Sequence, residues 1–82
     1  MQYQIEFKPI AIKDLEQFSV NIRERIISKI EAMQDDSLGD VKRLTKLTPE
    51  YLLRVGNYQV LLELEEQTVM IYRVKHRSKA YD

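Results

Sequence analysis

The apolar positions of this chain change their period about halfway along it. At the start, Tyr3, Ile5 and Phe7 alternate with Gln2, Gln4 and Glu6, the period-two pattern of a half-buried strand. Pro9 stops that strand and suits the first turn of a helix, where its missing N–H costs nothing. Ala11, Leu15 and Phe18 then recur at steps of four and three, which predicts a short amphipathic helix. Ile22, Ile26, Ile30 and Met33 form a second helical stripe, with Asn21 as its cap and Glu24 three residues on in a capping-box spacing. Asp35-Asp36-Ser37-Leu38-Gly39-Asp40 supplies the stop. Two consecutive helices of this kind would form a hairpin.

From Tyr51 onward the pattern is that of strands. Tyr51–Val55, Tyr58–Leu64 and Thr68–Lys75 are rich in Val, Ile, Leu and Tyr, with Gly56-Asn57 and Glu65-Glu66-Gln67 between them. Gly-Asn between two such runs predicts a two-residue hairpin of the primed type. The order β-α-α-β-β-β predicts an α+β fold in one domain, residues 1–82, with the helical hairpin on one face of a small antiparallel sheet. A two-residue turn at Gly56-Asn57 puts Val55 opposite Tyr58, Arg54 opposite Gln59 and Leu53 opposite Val60. Opposite residues share a face. One face then carries Leu53, Val55, Tyr58, Val60, Leu62 and Leu64, which should lie against the helices. The other carries Leu52, Arg54, Gln59, Leu61 and Glu63, and an even-numbered second loop would add Met70, Tyr72, Val74 and His76.

Composition narrows the chemistry. Eighty-two residues, 44% of them apolar, suffice for one modest core. The absence of cysteine removes disulfides, thiolate metal sites and cysteine nucleophiles. A single histidine, His76, leaves no histidine-rich metal site, and no cofactor is expected. No apolar run approaches the ~18 residues of a membrane span, and the start lacks a signal pattern. Without disulfide staples a small domain fits the reducing cytoplasm better than the outside. The net charge of zero hides an asymmetry: residues 1–41 hold five cations and eight acids, residues 42–82 eight and five. Four of those eight cations fall within Arg73-Val74-Lys75-His76-Arg77-Ser78-Lys79, which contains no acid. Such a run points toward a polyanion or an acidic partner.

Tyr51-Leu52-Leu53-Arg54-Val55-Gly56-Asn57-Tyr58-Gln59-Val60-Leu61-Leu62-Glu63 resembles the hairpin signature of the RelE/ParE superfamily of bacterial toxins. Tyr72-Arg73-Val74-Lys75-His76-Arg77-Ser78-Lys79-Ala80-Tyr81 is similar to that family's last strand and tail. Tyr3–Phe7 and the two helices fit as well, so the resemblance spans the chain. It implies the toxin of a type II toxin–antitoxin module, with a small cognate antitoxin as partner. RelE-like members cut messenger RNA on the ribosome without metal, through attack of a ribose 2′-hydroxyl on the adjacent phosphate. Carried over by position, Arg54 and Arg77 would hold and neutralise the scissile phosphate. Arginine's planar, permanently charged fork suits that task. Tyr81 would stack on a base or orient the attacking group, and His76 would serve as general acid. Gln59, Arg73, Lys75 and Lys79 would contact the RNA.

Two positions depart from the family pattern. Leu52 and Gln59 stand where basic residues are common, and Gln cannot neutralise a phosphate. Loss of one preorganised donor of this type costs about 10²–10³ in rate. The resemblance therefore also admits a ParE-like toxin acting on DNA gyrase, or a weakened homologue serving as an antitoxin-binding module.

Overall fold

A computed structural model describes residues 3–35, 41–43 and 49–77. Strand β1 (Gln4–Phe7) leads into helices α1 (Pro9–Glu16) and α2 (Val20–Glu31), and a 3-10 turn follows at Ala32–Asp35. Strands β2 (Val41–Arg43), β3 (Tyr51–Val55), β4 (Tyr58–Glu65) and β5 (Thr68–His76) complete the order. They form one five-stranded sheet, β1-β5-β4-β3-β2. β1 runs parallel to β5, and every other pairing is antiparallel. The helical hairpin thus carries the chain from one edge of the sheet to the other. No helix among the described residues is long and apolar enough to cross a membrane.

The core lies between the helices and one face of the sheet. Ala11 and Leu15 of α1 and Ile26, Ile30 and Met33 pack on Leu53, Val55, Val60, Leu62, Val69, Ile71 and Val74. Burying each large aliphatic side chain is worth about 1.5–3 kcal/mol, so this interface is what holds two short helices in place. The turn between β3 and β4 forms at Gly56-Asn57. Gly56 has φ +60°, the first-position geometry of a II′ turn, which glycine adopts without strain.

Three details differ from the sequence reading. α2 begins at Val20, so Asn21 lies inside the helix, and the flanking Ser19 makes no side-chain capping bond. The short strand β2 was not legible: three residues, Val-Lys-Arg, show no period. Residues 36–40 of the expected stop lie outside the described residues.

The third difference matters most for function. The second turn is a two-residue one, since Glu65 pairs with Thr68, and Met70 opposes Glu63 as expected. Between Leu62↔Ile71 and Leu61↔Arg73, however, β5 gains one residue, Tyr72. A bulge of this type reverses the side-chain alternation beyond it. Val74 therefore pairs with Val60 and His76 with Tyr58, on the helix side. Arg73 and Lys75 take the places on the far face that Val74 and His76 were expected to fill.

Candidate nucleic-acid interface

The far face is built in rows across β3, β4 and β5. Arg54 opposes Gln59, and Gln59 opposes Lys75. Adjacent strands lie ~4.8 Å apart, so these three residues form one line across the sheet. Gln59 is only 3% exposed although polar, and it has a partner within the fold. Arg54 is exposed at the β3 end, one residue beyond Leu53, the last that pairs with β2 among the described residues. Arg77 follows the end of β5, and its backbone N–H donates to the Asn57 carbonyl at 2.6 Å. That bond fixes the Arg77 backbone to the tip of the β3–β4 hairpin. The sheet thus brings Arg54, Gln59, Lys75 and Arg77 to one end of one face.

The opposite end of the face is acidic. Glu63, 9% exposed, accepts the Glu50 backbone N–H at 3.1 Å. Glu50 in turn pairs with the Arg43 Nε at 2.8 Å. These carboxylates are occupied within the fold and lie away from the hairpin tip. The face is polarised, with its cations at the Arg54–Lys75–Arg77 end.

Two other sequence candidates are placed differently. Arg73 is tied to Asp14 of α1: its Nε lies 2.8 Å from Asp14 Oδ2 and its Nη2 3.1 Å from Oδ1. The same carboxylate accepts the Val74 backbone N–H at 3.0 Å. Burial alone would push the Asp14 carboxyl up, but the bonds from Arg73 and Val74 and the charges of Arg73 and Lys75 outweigh it. The net effect holds Asp14 below the ordinary aspartate range, while the Asp14 bond raises Arg73 further. Arg73 is therefore already neutralised, and an acid does face the cationic run, supplied by a distant helix. Asp14 was missed because nothing local links it to residue 73. The available signal was its position beside Leu15 and three after Ala11, on the border of the buried stripe of α1.

His76 stacks edge-on against Tyr58, ring centroids 5.1 Å apart, and Tyr58 against Phe18 at 5.0 Å. This column lies on the helix side, so the structure does not bring the His76 ring to the Arg54–Gln59–Lys75 row. The extra residue at the bulge is the reason. Tyr72 receives the Lys8 ammonium over its ring at 5.0 Å. Lys79 and Tyr81 lie outside the described residues. Among the described residues no group of three His, Cys, Asp or Glu is arranged to hold a metal ion.

Comparisons with known proteins place this architecture in a family. Residues 5–81 match the family model of the ParE toxin of type II toxin–antitoxin system, parDE. The chain is 34% identical to the toxin RelE3 of Methanocaldococcus jannaschii, covering 96% of each. The RelB–RelE antitoxin–toxin complex of Methanococcus jannaschii has a chain 36% identical, with TM-score 0.76 over 93% of this chain and 94% of that one. A chain of the RelBE2 toxin–antitoxin complex of Mycobacterium tuberculosis is 26% identical, with TM-score 0.82 over 94% and 100%. The chain belongs to the RelE/ParE superfamily and is the toxin of a type II toxin–antitoxin system.

Proposed function

We propose that this toxin is a metal-independent endoribonuclease that cuts messenger RNA on the ribosome in the cytoplasm. The carrying observation is the convergence of Arg54, Lys75 and Arg77 at one end of the far face, around Gln59. In the reaction a ribose 2′-oxygen attacks the adjacent phosphorus, the bond to the 5′-oxygen breaks, and a 2′,3′-cyclic phosphate and a 5′-hydroxyl remain. The 2′-hydroxyl loses a proton and the departing oxygen gains one, so charge accumulates on the phosphoryl oxygens in between. Preorganised cations lower that barrier by stabilising the developing charge. Arg54 and Arg77 would do this directly, and Lys75 would hold a flanking phosphate.

A cognate antitoxin is the expected protein partner. The structures of relatives are toxin–antitoxin complexes. The cationic end of the far face suits an acidic segment, and Ile10, Ile12 and Val20, exposed on the helices at the other side of the sheet, offer separate apolar anchors. A second reading, ParE-like action on DNA gyrase, draws on two observations. The matching family model is that of ParE, and Gln59 puts a neutral residue at the centre of the row.

Cell-free translation with primer extension on the message separates the two. Codon-spaced breaks support the nuclease. Intact message together with arrested gyrase supercoiling moves the gyrase reading ahead.

A further inference from the structure

The hairpin tip has a second cationic side. Val41↔Leu53 is the last β2–β3 pair among the described residues, and β3 beyond it faces α2 across a groove of about 390 Å³. Arg25, Ser28 and Lys29 line it from the helix, and Arg54, Val55 and Gly56 from the strand and turn. Positions 25, 28 and 29 are neighbours on one helical face because they are three and four residues apart. No acidic residue lines the groove among the described residues. The Arg25 guanidinium lies against the turn itself, where a Cβ on Gly56 would come within 3.2 Å of Nη2. Glycine at 56 thus serves both the positive φ of the turn and the close seat of Arg25. Arg25 from α2, Arg54 from β3 and Arg77 after β5 all gather at this one turn.

We infer that the α2–β3 groove is a second anion site, taking a backbone phosphate of RNA. It would extend the Lys75–Gln59–Arg54 row around the sheet edge onto α2. This inference rests on the RNA reading above. Arg54 belongs to both surfaces, so the two are continuous. Mixed lining by cations, one hydroxyl and a few apolar atoms suits a sugar-phosphate backbone, which needs neutralisation without base-specific donors. The phosphate can come from the message or from ribosomal RNA.

The test measures binding of the isolated toxin to a short unstructured RNA oligomer and, separately, to message-free ribosomes, across a salt series. Arg25→Gln with Lys29→Gln should weaken binding roughly tenfold to thirtyfold near 0.1 M salt, from two phosphate contacts at a slope of ~0.7 each. Ser28→Glu, which adds a carboxylate to the groove without removing a contact of Lys29, should weaken it as well. Both variants should melt within about 2–4 °C of the parent, since all three residues are exposed. Loss with the oligomer assigns the site to message, and loss with ribosomes alone assigns it to ribosomal RNA. Lys75→Gln is the reference for the row. If it weakens RNA binding while the groove variants do not, the groove inference fails and the RNA reading stands. Should no variant weaken binding in either arm, both are overturned.

Discussion

Asp14 and Arg73, 59 residues apart in sequence, are joined by two hydrogen bonds, and the same carboxylate caps the Val74 backbone N–H. The geometry answers a problem in the sheet. β1 pairs with β5 only as far as Phe7↔Ile71, so β5 beyond that point has an open edge. A helix carboxylate supplies the missing acceptor there and turns Arg73 away from ligand duty.

Asp14→Ala should cost about 1–3 kcal/mol at neutral pH, by leaving the Val74 N–H and the Arg73 guanidinium without their acceptor. The contribution depends on pH in a defined direction. The folded carboxyl titrates below its unfolded counterpart, so its stabilisation is present above about pH 4 and fades as pH falls through the lowered value. Denaturant melts of parent and variant should therefore differ fully above about pH 4 and draw together as the pH is lowered from there. A gap that persisted in acid would mean the carboxylate charge is not what stabilises the pair.

Arg77→Ala should abolish toxicity with the fold intact. The residue is exposed and its bond to Asn57 comes from the backbone, so the side chain can be removed without opening the core. Stability should change by less than about 0.5 kcal/mol. Transition-state stabilisation should fall by about 3–4 kcal/mol, or 10²–10³ in rate. Growth after induction and a thermal melt check both halves. A fully toxic variant with an unchanged melt would remove Arg77 from the site.

Gln59→Arg should trade stability for activity. It puts a cation between Arg54 and Lys75, completing the row, and message cleavage should rise. The position is 3% exposed, so a larger charged head among like charges should lower stability by about 1–3 kcal/mol. Primer extension and urea melts report the two effects separately. A more stable variant with unchanged cleavage would contradict both parts.

Glu66→Gly should stabilise the protein. Glu66 takes φ +54° in the β4–β5 turn, the one described non-glycine residue with positive φ. That conformation costs an L-residue ~1–2 kcal/mol, against ~0.5–1 kcal/mol of extra chain entropy for glycine. The net gain should be about 0.5–1 kcal/mol, or roughly 2–6 °C in Tm. A lower Tm would show that the Glu66 side chain contributes more than its backbone costs.

Read locally, the residues determined the α+β order, the Gly56-Asn57 turn and the stripe Ile26–Ile30–Met33 that meets the sheet. Each follows from periodicity or from one residue's conformational freedom, and both act within a few positions of the chain. The row Arg54–Gln59 was legible too, because a two-residue turn leaves no choice of register. Tertiary structure decided the rest. A single extra residue at Tyr72 moved His76 behind the sheet and Lys75 onto the row, and no spacing rule reveals where a strand will bulge. Asp14 withdrew Arg73 from the cationic run, and α2 brought Arg25 to the turn from 31 positions away. Charges so far apart in sequence meet only because core burial docks the helices first, and electrostatics then acts on the neighbours that packing supplies.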